Sequence, residues 1–96
     1  MPRELYNNAR LYRILEALRD VGDMTGYELM DLLDMGPDLF YRLMNRYRKN
    51  AYIRVSDKVP SGRQGPKFVK VYSITQTGLD RLEYLEKMRG VWEWRD

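Results

Sequence analysis

The fold of this chain is decided by residues 36–50, which read GPDLFYRLMNRYRKN. Gly36-Pro37 predicts the start of a helix, because the N–H that proline lacks would be unpaired in the first helical turn anyway. Asp38 in the first turn and several cations in the last turn both complement the helix dipole. The stretch therefore predicts a helix over 37–50.

The two faces of this predicted helix differ in character. At 100° per residue the apolar side chains share one face, namely Leu39, Phe40, Leu43, Met44 and Tyr47. The other face and its flanks carry cationic and hydrogen-bonding groups, namely Tyr41, Arg42, Asn45, Arg46, Arg48 and Lys49. Arginine can bond guanine and asparagine can bond adenine through two hydrogen bonds, and lysine contacts phosphates. Taken alone, the helix is equally consistent with a solvated basic surface helix.

Charge is distributed unevenly along the chain of 96 residues. Its net charge is +3, but residues 42–70 contain nine basic residues and one acidic residue. That segment carries +8, which leaves −5 for the remainder of the chain. Such asymmetry in a small chain is typical of a surface that binds a polyanion. The asymmetry is a strong sign of polyanion binding and a weaker sign of DNA binding, because an acidic protein would also be attracted to such a surface.

Composition restricts the classes of function. The length suits one domain, 1–96, and a hydrophobic content of 44% is ordinary for a folded chain. The chain has no cysteine and no histidine, which excludes disulfides, thiolate metal sites and Cys or His catalysis within it. We therefore expect no enzyme activity, no metal and no cofactor. We also expect a cytoplasmic protein without membrane contact, because apolar runs are short and the N-terminus is polar.

The residues before position 36 predict two further helices. The first is expected to begin at Asn7 or Asn8 and to end at Gly22, with its apolar stripe formed by Leu11, Ile14, Leu15, Leu18 and Val21. Thr25-Gly26-Tyr27-Glu28 is a capping box that opens a short helix to about Asp34. Its expected apolar contacts are Leu29, Met30, Leu32 and Leu33. Together with the basic helix it predicts a helix-turn-helix.

The residues after position 50 predict a β-hairpin. Alternation predicts one strand over 51–55 and a second over 68–74, with Tyr72 and Ile74 buried against the helices. The intervening loop, 58–67, contains two prolines and two glycines and is expected to be irregular. Its charged residues are all basic, namely Lys58, Arg63 and Lys67. Such a loop can enter a minor groove or follow the phosphates, although it could also be a solvated loop with incidental charge.

The C-terminal segment, 75–96, predicts a last helix and a tail. Thr75 or Thr77 would cap the helix, whose apolar positions are Leu79, Leu82, Leu85 and Met88. Exposed indoles are unfavourable, so Trp92 and Trp94 either fold back onto the chain or contact a second subunit, which we favour. The expected dimerisation residues are the apolar residues near both ends, namely Leu5, Tyr6, Leu85, Met88, Val91, Trp92 and Trp94.

This order of elements is that of a winged helix-turn-helix. Residues 72–82, YSITQTGLDRL, resemble the Tyr-x-Leu-Thr-x-x-Gly-x-x-x-Leu signature that closes the wing and opens the final helix. Gly26-Tyr27-Glu28-Leu29 resembles a motif of the second helix in PadR-like regulators. Over about residues 6–89 the chain thus resembles PadR-like and MarR-like winged-helix transcriptional regulators, including small archaeal and viral proteins. The resemblance implies an α+β fold with a three-helix core, a β-hairpin wing and a C-terminal helix.

The same resemblance implies a sequence-specific regulator of double-stranded DNA that is usually a homodimer. The recognition helix, 37–50, would enter the major groove, and the wing, 58–67, would contact the backbone or the minor groove. Base contacts are then expected from Tyr41, Arg42 and Asn45, and phosphate contacts from Arg46, Arg48, Lys49, Lys58, Arg63 and Lys67. One alternative is an adaptor for an acidic protein, although this face offers only Tyr41 as an apolar anchor. The other is an RNA-binding module in which Tyr41 and Tyr52 stack on unpaired bases.

Overall fold

A computed structural model describes residues 3–62 and 67–89, with side chains described from residue 8 onward. The elements in chain order are α1 (Arg3–Asp20), β1 (Met24–Thr25), α2 (Gly26–Leu33), α3 (Pro37–Lys49), β2 (Ile53–Pro60), β3 (Phe68–Ile74) and α4 (Gln76–Lys87). The predicted arrangement of three helices, a β-hairpin and a C-terminal helix is confirmed.

The sheet has three antiparallel strands in the order β1-β3-β2. β1 pairs Met24 with Tyr72 and Thr25 with Val71, which ties the start of the helix-turn-helix to the hairpin. The sequence analysis missed β1, because two residues are too few to show an alternating pattern. β2 and β3 pair over their whole lengths, with an irregularity in β2 between Val55 and Asp57.

The hairpin is longer than predicted. β2 continues to Pro60, which lies opposite Phe68, so the prediction that residues 58–60 are irregular is wrong. Proline is tolerated here because it occupies the last position of an edge strand, where its missing N–H costs least. Beyond Pro60, the Ser61 N–H donates to the Lys67 carbonyl oxygen at 3.0 Å. Residues 63–66 lie outside the described part of the chain.

The core lies between the helices and one face of the sheet. The α1 positions Leu11, Ile14, Leu15 and Leu18 are buried as predicted. Three other expectations are wrong. α1 begins at Arg3 rather than at an asparagine cap. Val21 is 72% exposed because it lies beyond the helix, before the turn at Gly22 (φ +107°). Leu32 is 48% exposed because α2 buries its other side, which carries Leu29 and Leu33.

α4 is fixed at its first turn by Thr75. The Thr75 hydroxyl accepts a hydrogen bond from the Gly78 N–H at 2.9 Å and donates one to the Tyr52 carbonyl oxygen at 3.1 Å. Gly78 is buried so closely that a Cβ there would collide with the same carbonyl oxygen and lie 2.8 Å from Ile74 Cγ1. Thr75 and Gly78 therefore join α4 to the start of β2. Within 3–62 and 67–89, no helix combines the length and apolar character needed to cross a lipid bilayer.

Candidate nucleic-acid interface

α3 is amphipathic in the way that its sequence predicts. Its inner face is buried through Phe40, Leu43, Met44 and Tyr47, with Leu39 half-buried beside them. All six polar and cationic positions predicted for the outer side are exposed, namely Tyr41, Arg42, Asn45, Arg46, Arg48 and Lys49. Burial of the apolar face thus fixes which side chains α3 presents to a partner.

Both ends of α3 are well defined. Gly36 occupies the N-cap position and Pro37 the first turn, while the Asn50 N–H donates to the Arg46 carbonyl oxygen at 3.1 Å. Ala51 has a positive φ of 62°, which turns the chain sharply into β2. The orientation of α3 relative to the hairpin is therefore set by a very short connection.

Tyr47 lies on the buried face of α3. Tyr47 is buried, with 3% of its surface exposed, and its hydroxyl has no hydrogen-bond partner among the described residues. Burial raises the pKa of Tyr47 to about 12, an effect that the nearby Arg46 and Arg10 oppose. The neutral phenol is thus the form that the folded chain accommodates.

The hairpin adds a second group of cations beside α3. Lys58 on β2 lies directly opposite Lys70 on β3, and Lys67 is exposed just before β3 begins. Like charges at directly opposite positions of an antiparallel pair repel each other. An anion placed between Lys58 and Lys70 would relieve this repulsion.

The cations of α3 and the hairpin share one further property. Within the described ranges, none of the eight basic residues between positions 42 and 70 makes a salt bridge; they are Arg42, Arg46, Arg48, Lys49, Arg54, Lys58, Lys67 and Lys70. All eight are exposed. We call them the basic surface. Their positive charge is available to an external polyanion.

Some cations elsewhere in the chain do form salt bridges. Arg19 on α1 lies 2.7 Å from both Asp20 and Glu86, and Lys87 on α4 lies 3.0 Å from Glu83. Asp57, the acidic residue within 42–70, forms no such salt bridge with a described residue; its side chain accepts a hydrogen bond from the Lys58 backbone N–H at 2.7 Å. Acidic residues thus neutralise Arg19 on α1 and Lys87 on α4, whereas no salt bridge within the described ranges compensates the basic surface.

Parts of the predicted site lie beyond what the structure describes. Arg63 of the hairpin tip and Val91, Trp92 and Trp94 lie outside the described residues, as do the side chains of Leu5 and Tyr6. Met88 is partly buried against the core. Leu85 is fully buried within this chain, so it has no surface to offer a second subunit, and its assignment to a dimer interface is wrong.

The sequence analysis did not assign Arg54, Phe68 or Lys70 to the site. A signal for two of them was present: alternation along 68–74 places Phe68 and Lys70 on the same face as Tyr72. Among the described residues there is no group of three or more acidic side chains that could hold a metal ion. The site therefore consists of exposed cations, amides and aromatic rings.

Comparison with known proteins finds similarity at the level of structure. No protein-family model matches the sequence, and a search of curated proteins finds no match. A mutant of MarR from E. coli, solved in complex with operator DNA, superposes with a TM-score of 0.64 at 18% identity, covering 83% of this chain and 54% of that chain. The corresponding values for smu.1704 from Streptococcus mutans are 0.69, 22%, 91% and 81%.

TA0346 from Thermoplasma acidophilum is similar over nearly its whole length. Its TM-score is 0.72 at 19% identity, with coverage of 95% of this chain and 93% of that chain. By contrast, this chain spans only about half the length of the MarR structure that it matches. At such identities the likeness establishes the fold, and the chain therefore has the winged-helix architecture found in MarR-type structures.

Proposed function

We propose that this chain is a DNA-binding transcriptional regulator that places α3 in the major groove of double-stranded DNA. The observation that carries the proposal is the basic surface, whose eight exposed cations lack salt bridges within the described ranges. Duplex DNA is a dense line of negative charge, so such a surface gains free energy from releasing its counterions. The winged-helix fold, shared with a MarR mutant solved on operator DNA, supports the same function.

We expect some residues of α3 to contact DNA bases and others to contact phosphates. Tyr41, Arg42 and Asn45 project from the exposed side of the helix and offer the groups that bond base edges in the major groove. Arg46, Arg48 and Lys49 lie in the last turn of α3 and would contact phosphates. In the hairpin Lys58, Arg63 and Lys67 would hold the backbone or enter the minor groove.

We also propose that the chain acts as a homodimer. Two recognition helices would then read two half-sites, and binding both at once raises affinity without new contacts in either half. Leu5, Tyr6, Met88, Val91, Trp92 and Trp94 remain the proposed contacts, because the burial of Leu85 removes that residue alone from the set.

Two arginine substitutions test the division of roles on α3. Arg42→Ala should weaken binding to the cognate operator by roughly 1–3 kcal/mol, because a bidentate contact to guanine is lost, and should weaken random DNA less. Arg46→Ala should weaken binding to both DNAs by similar factors, because a phosphate contact carries no sequence information. Fluorescence anisotropy on fragments around the protein's own gene and on a random duplex measures both.

Lys87→Gln is the matched control for these two variants. It removes one positive charge from α4, where Lys87 pairs with Glu83, and should leave both affinities unchanged. Equal weakening of cognate and random DNA by Arg42→Ala would contradict base reading by Arg42. An effect of Lys87→Gln as large as that of Arg46→Ala would contradict the placement of the binding face on α3.

A further inference from the structure

A groove with aromatic walls separates α3 from the hairpin. It encloses about 230 Å³ and is lined by residues of α2, α3 and β3, namely Gly26, Tyr27, Tyr41, Phe68, Val69, Lys70 and Tyr72. Phe68 is 57% exposed and Tyr41 is 42% exposed; a single exposed ring is ordinary, but contiguous exposed apolar surface marks interaction sites. Two of the most exposed rings in the described chain thus meet at one groove beside the basic surface.

The position of the groove follows from the short β1 strand. β1 pairs only with Val71 and Tyr72, so the edge of β3 over residues 68–70 is left uncovered on that side. Because side chains alternate along a strand, Phe68 and Lys70 lie on the same face as Tyr72, beyond the point where the core ends. The N-terminal end of α2 and the exposed side of α3 form the remaining walls.

The ring of Tyr41 is held in place from the core side. Phe40 packs edge-on against Tyr41 with ring centroids 5.3 Å apart, and edge-on against Tyr72 at 6.1 Å. Edge-to-face pairs of this kind are favourable in addition to the area that they bury. Tyr41 is therefore supported in its position at the groove by the buried ring of Phe40, which itself packs against Tyr72.

Positive charge flanks the aromatic walls. Lys70 lines the groove, and Lys58 lies directly opposite it on the neighbouring strand, with neither ammonium group in a salt bridge within the described ranges. Exposed aromatic rings beside uncompensated lysines are the combination by which proteins hold single nucleic-acid strands. The charge favours a phosphate backbone, and the rings favour the flat face of a base.

We propose that this groove holds one unstacked DNA base, while Lys58 and Lys70 contact the phosphates beside that base. The inference rests on the proposed DNA-binding function. It adds that DNA with an unstacked base is bound more tightly than fully paired DNA. In an intact duplex the ring faces are covered by neighbouring bases, and only base edges reach the grooves. A space smaller than the roughly 300–1,000 Å³ of drug-sized pockets suits a single ring system.

Three DNA probes test the proposal. The first is a fully paired duplex; the second carries one unpaired 2-aminopurine at its centre; the third carries an unpaired abasic residue at that position. The second and third probes carry the same backbone charge and differ in composition only by the base, so their difference in affinity reports on that base. We expect the base-containing probe to bind about 5- to 150-fold more tightly, because stacking on aromatic side chains is worth about 1–3 kcal/mol per base. Its 2-aminopurine fluorescence should fall on binding.

Substitutions at Phe68 separate stacking from simple hydrophobic contact. Phe68→Leu keeps an apolar side chain but removes the ring, and it should abolish the difference between the two probes. Phe68→Trp keeps a stacking face and should preserve that difference. Tyr84→Ala is the matched control, because Tyr84 is a similarly exposed ring, at 50%, on α4 away from the groove.

The outcomes distinguish this inference from the proposed function. Equal affinity for the base-containing and abasic probes, or full discrimination by Phe68→Leu, would overturn the assignment of the groove, even if paired duplex binds well. Failure of all three probes to bind at low salt would overturn the DNA-binding function, and this inference with it. Because Phe68 is largely exposed, its substitution should leave the unfolding transition unchanged, which circular dichroism verifies.

Discussion

Tyr47 of α3 shows how a single buried group makes the stability of the folded chain depend on pH. Its pKa is raised to about 12 in the folded chain, against about 10 in an unfolded one. Below about pH 10 both states keep the proton. Between about pH 10 and 12 the unfolded state loses its proton first, so the free energy of unfolding decreases as pH rises.

We expect Tyr47→Phe to reduce this alkaline loss of stability. At pH 7 the variant should be as stable as the wild type or more stable by up to about 1 kcal/mol, because the hydroxyl that it removes has no partner among the described residues. Urea unfolding at pH 7 and at several values above pH 10 measures both effects. Burial also raises the pKa of Tyr12 and Tyr72, so part of the alkaline loss should remain.

Tyr84→Phe, at an exposed ring of α4, is the control for the alkaline measurement. A Tyr47→Phe variant that is less stable by more than about 1 kcal/mol at pH 7 would show that the hydroxyl is bonded in solution. An alkaline loss identical to that of the wild type would contradict the role given to burial.

Gly78 is a second position where one atom matters. An added Cβ would collide with the Tyr52 carbonyl oxygen, and a backbone atom cannot move aside as a flexible side chain can. Gly78→Ala should therefore destabilise the chain by about 1–3 kcal/mol, the usual cost of overpacking. Gly36→Ala is the control, because a Cβ at that N-cap position meets nothing within 4 Å. Thermal unfolding that is equally affected by both substitutions would contradict the close approach at Gly78.

At the scale of elements, much of the fold could be predicted from the sequence because the signals are local. Thr25 and Glu28 form the capping box as predicted: the Glu28 N–H donates to the Thr25 hydroxyl at 3.2 Å, and the Thr25 N–H donates to Glu28 Oε1 at 3.0 Å. The bounds of β3, 68–74, are also as predicted, because alternation persists over seven residues.

The elements that were mispredicted depend on tertiary contacts. β1 exists because Met24 and Thr25 find the edge of β3, which no local pattern reveals. β2 extends through Lys58 to Pro60 because β3 offers partners up to Phe68, and this pairing outweighs the local signal of proline. Long-range pairing therefore decided these strand limits.

The candidate site could be predicted from the sequence to the extent that it lies on α3. Helical periodicity correctly predicts the exposed side chains of α3, because burial of Phe40 and Tyr47 fixes the rotation of the helix. The aromatic groove could not be predicted in this way. It brings Tyr41 and Phe68 together across the gap left by a two-residue strand, and their proximity depends on the packing of three elements.

At the scale of the whole molecule, the proposed dimer makes a prediction about mass in solution. Sedimentation equilibrium should give the mass of two chains for the wild type. Replacing Trp92 and Trp94 together by Ala should shift the population toward one chain, because two large apolar groups would be lost from the proposed interface. A wild type that remains monomeric at all concentrations tested would contradict the dimer.

The charge asymmetry of the molecule also predicts how strongly DNA binding should depend on salt concentration. A segment of +8 within a chain of net charge +3 remains unneutralised by internal salt bridges among its described residues. If this surface binds DNA as proposed, it does so by displacing counterions, and affinity should fall steeply with salt. An apolar docking surface would show little of this dependence.

The most direct test is the salt dependence of binding to a random duplex, measured by fluorescence anisotropy. If about six phosphates are neutralised per dimer, log affinity should fall with log salt concentration at a slope near −5. Binding with a steep negative slope would support DNA recognition by the basic surface. Absence of duplex binding at about 50 mM salt, where non-specific contacts are strong, would contradict it.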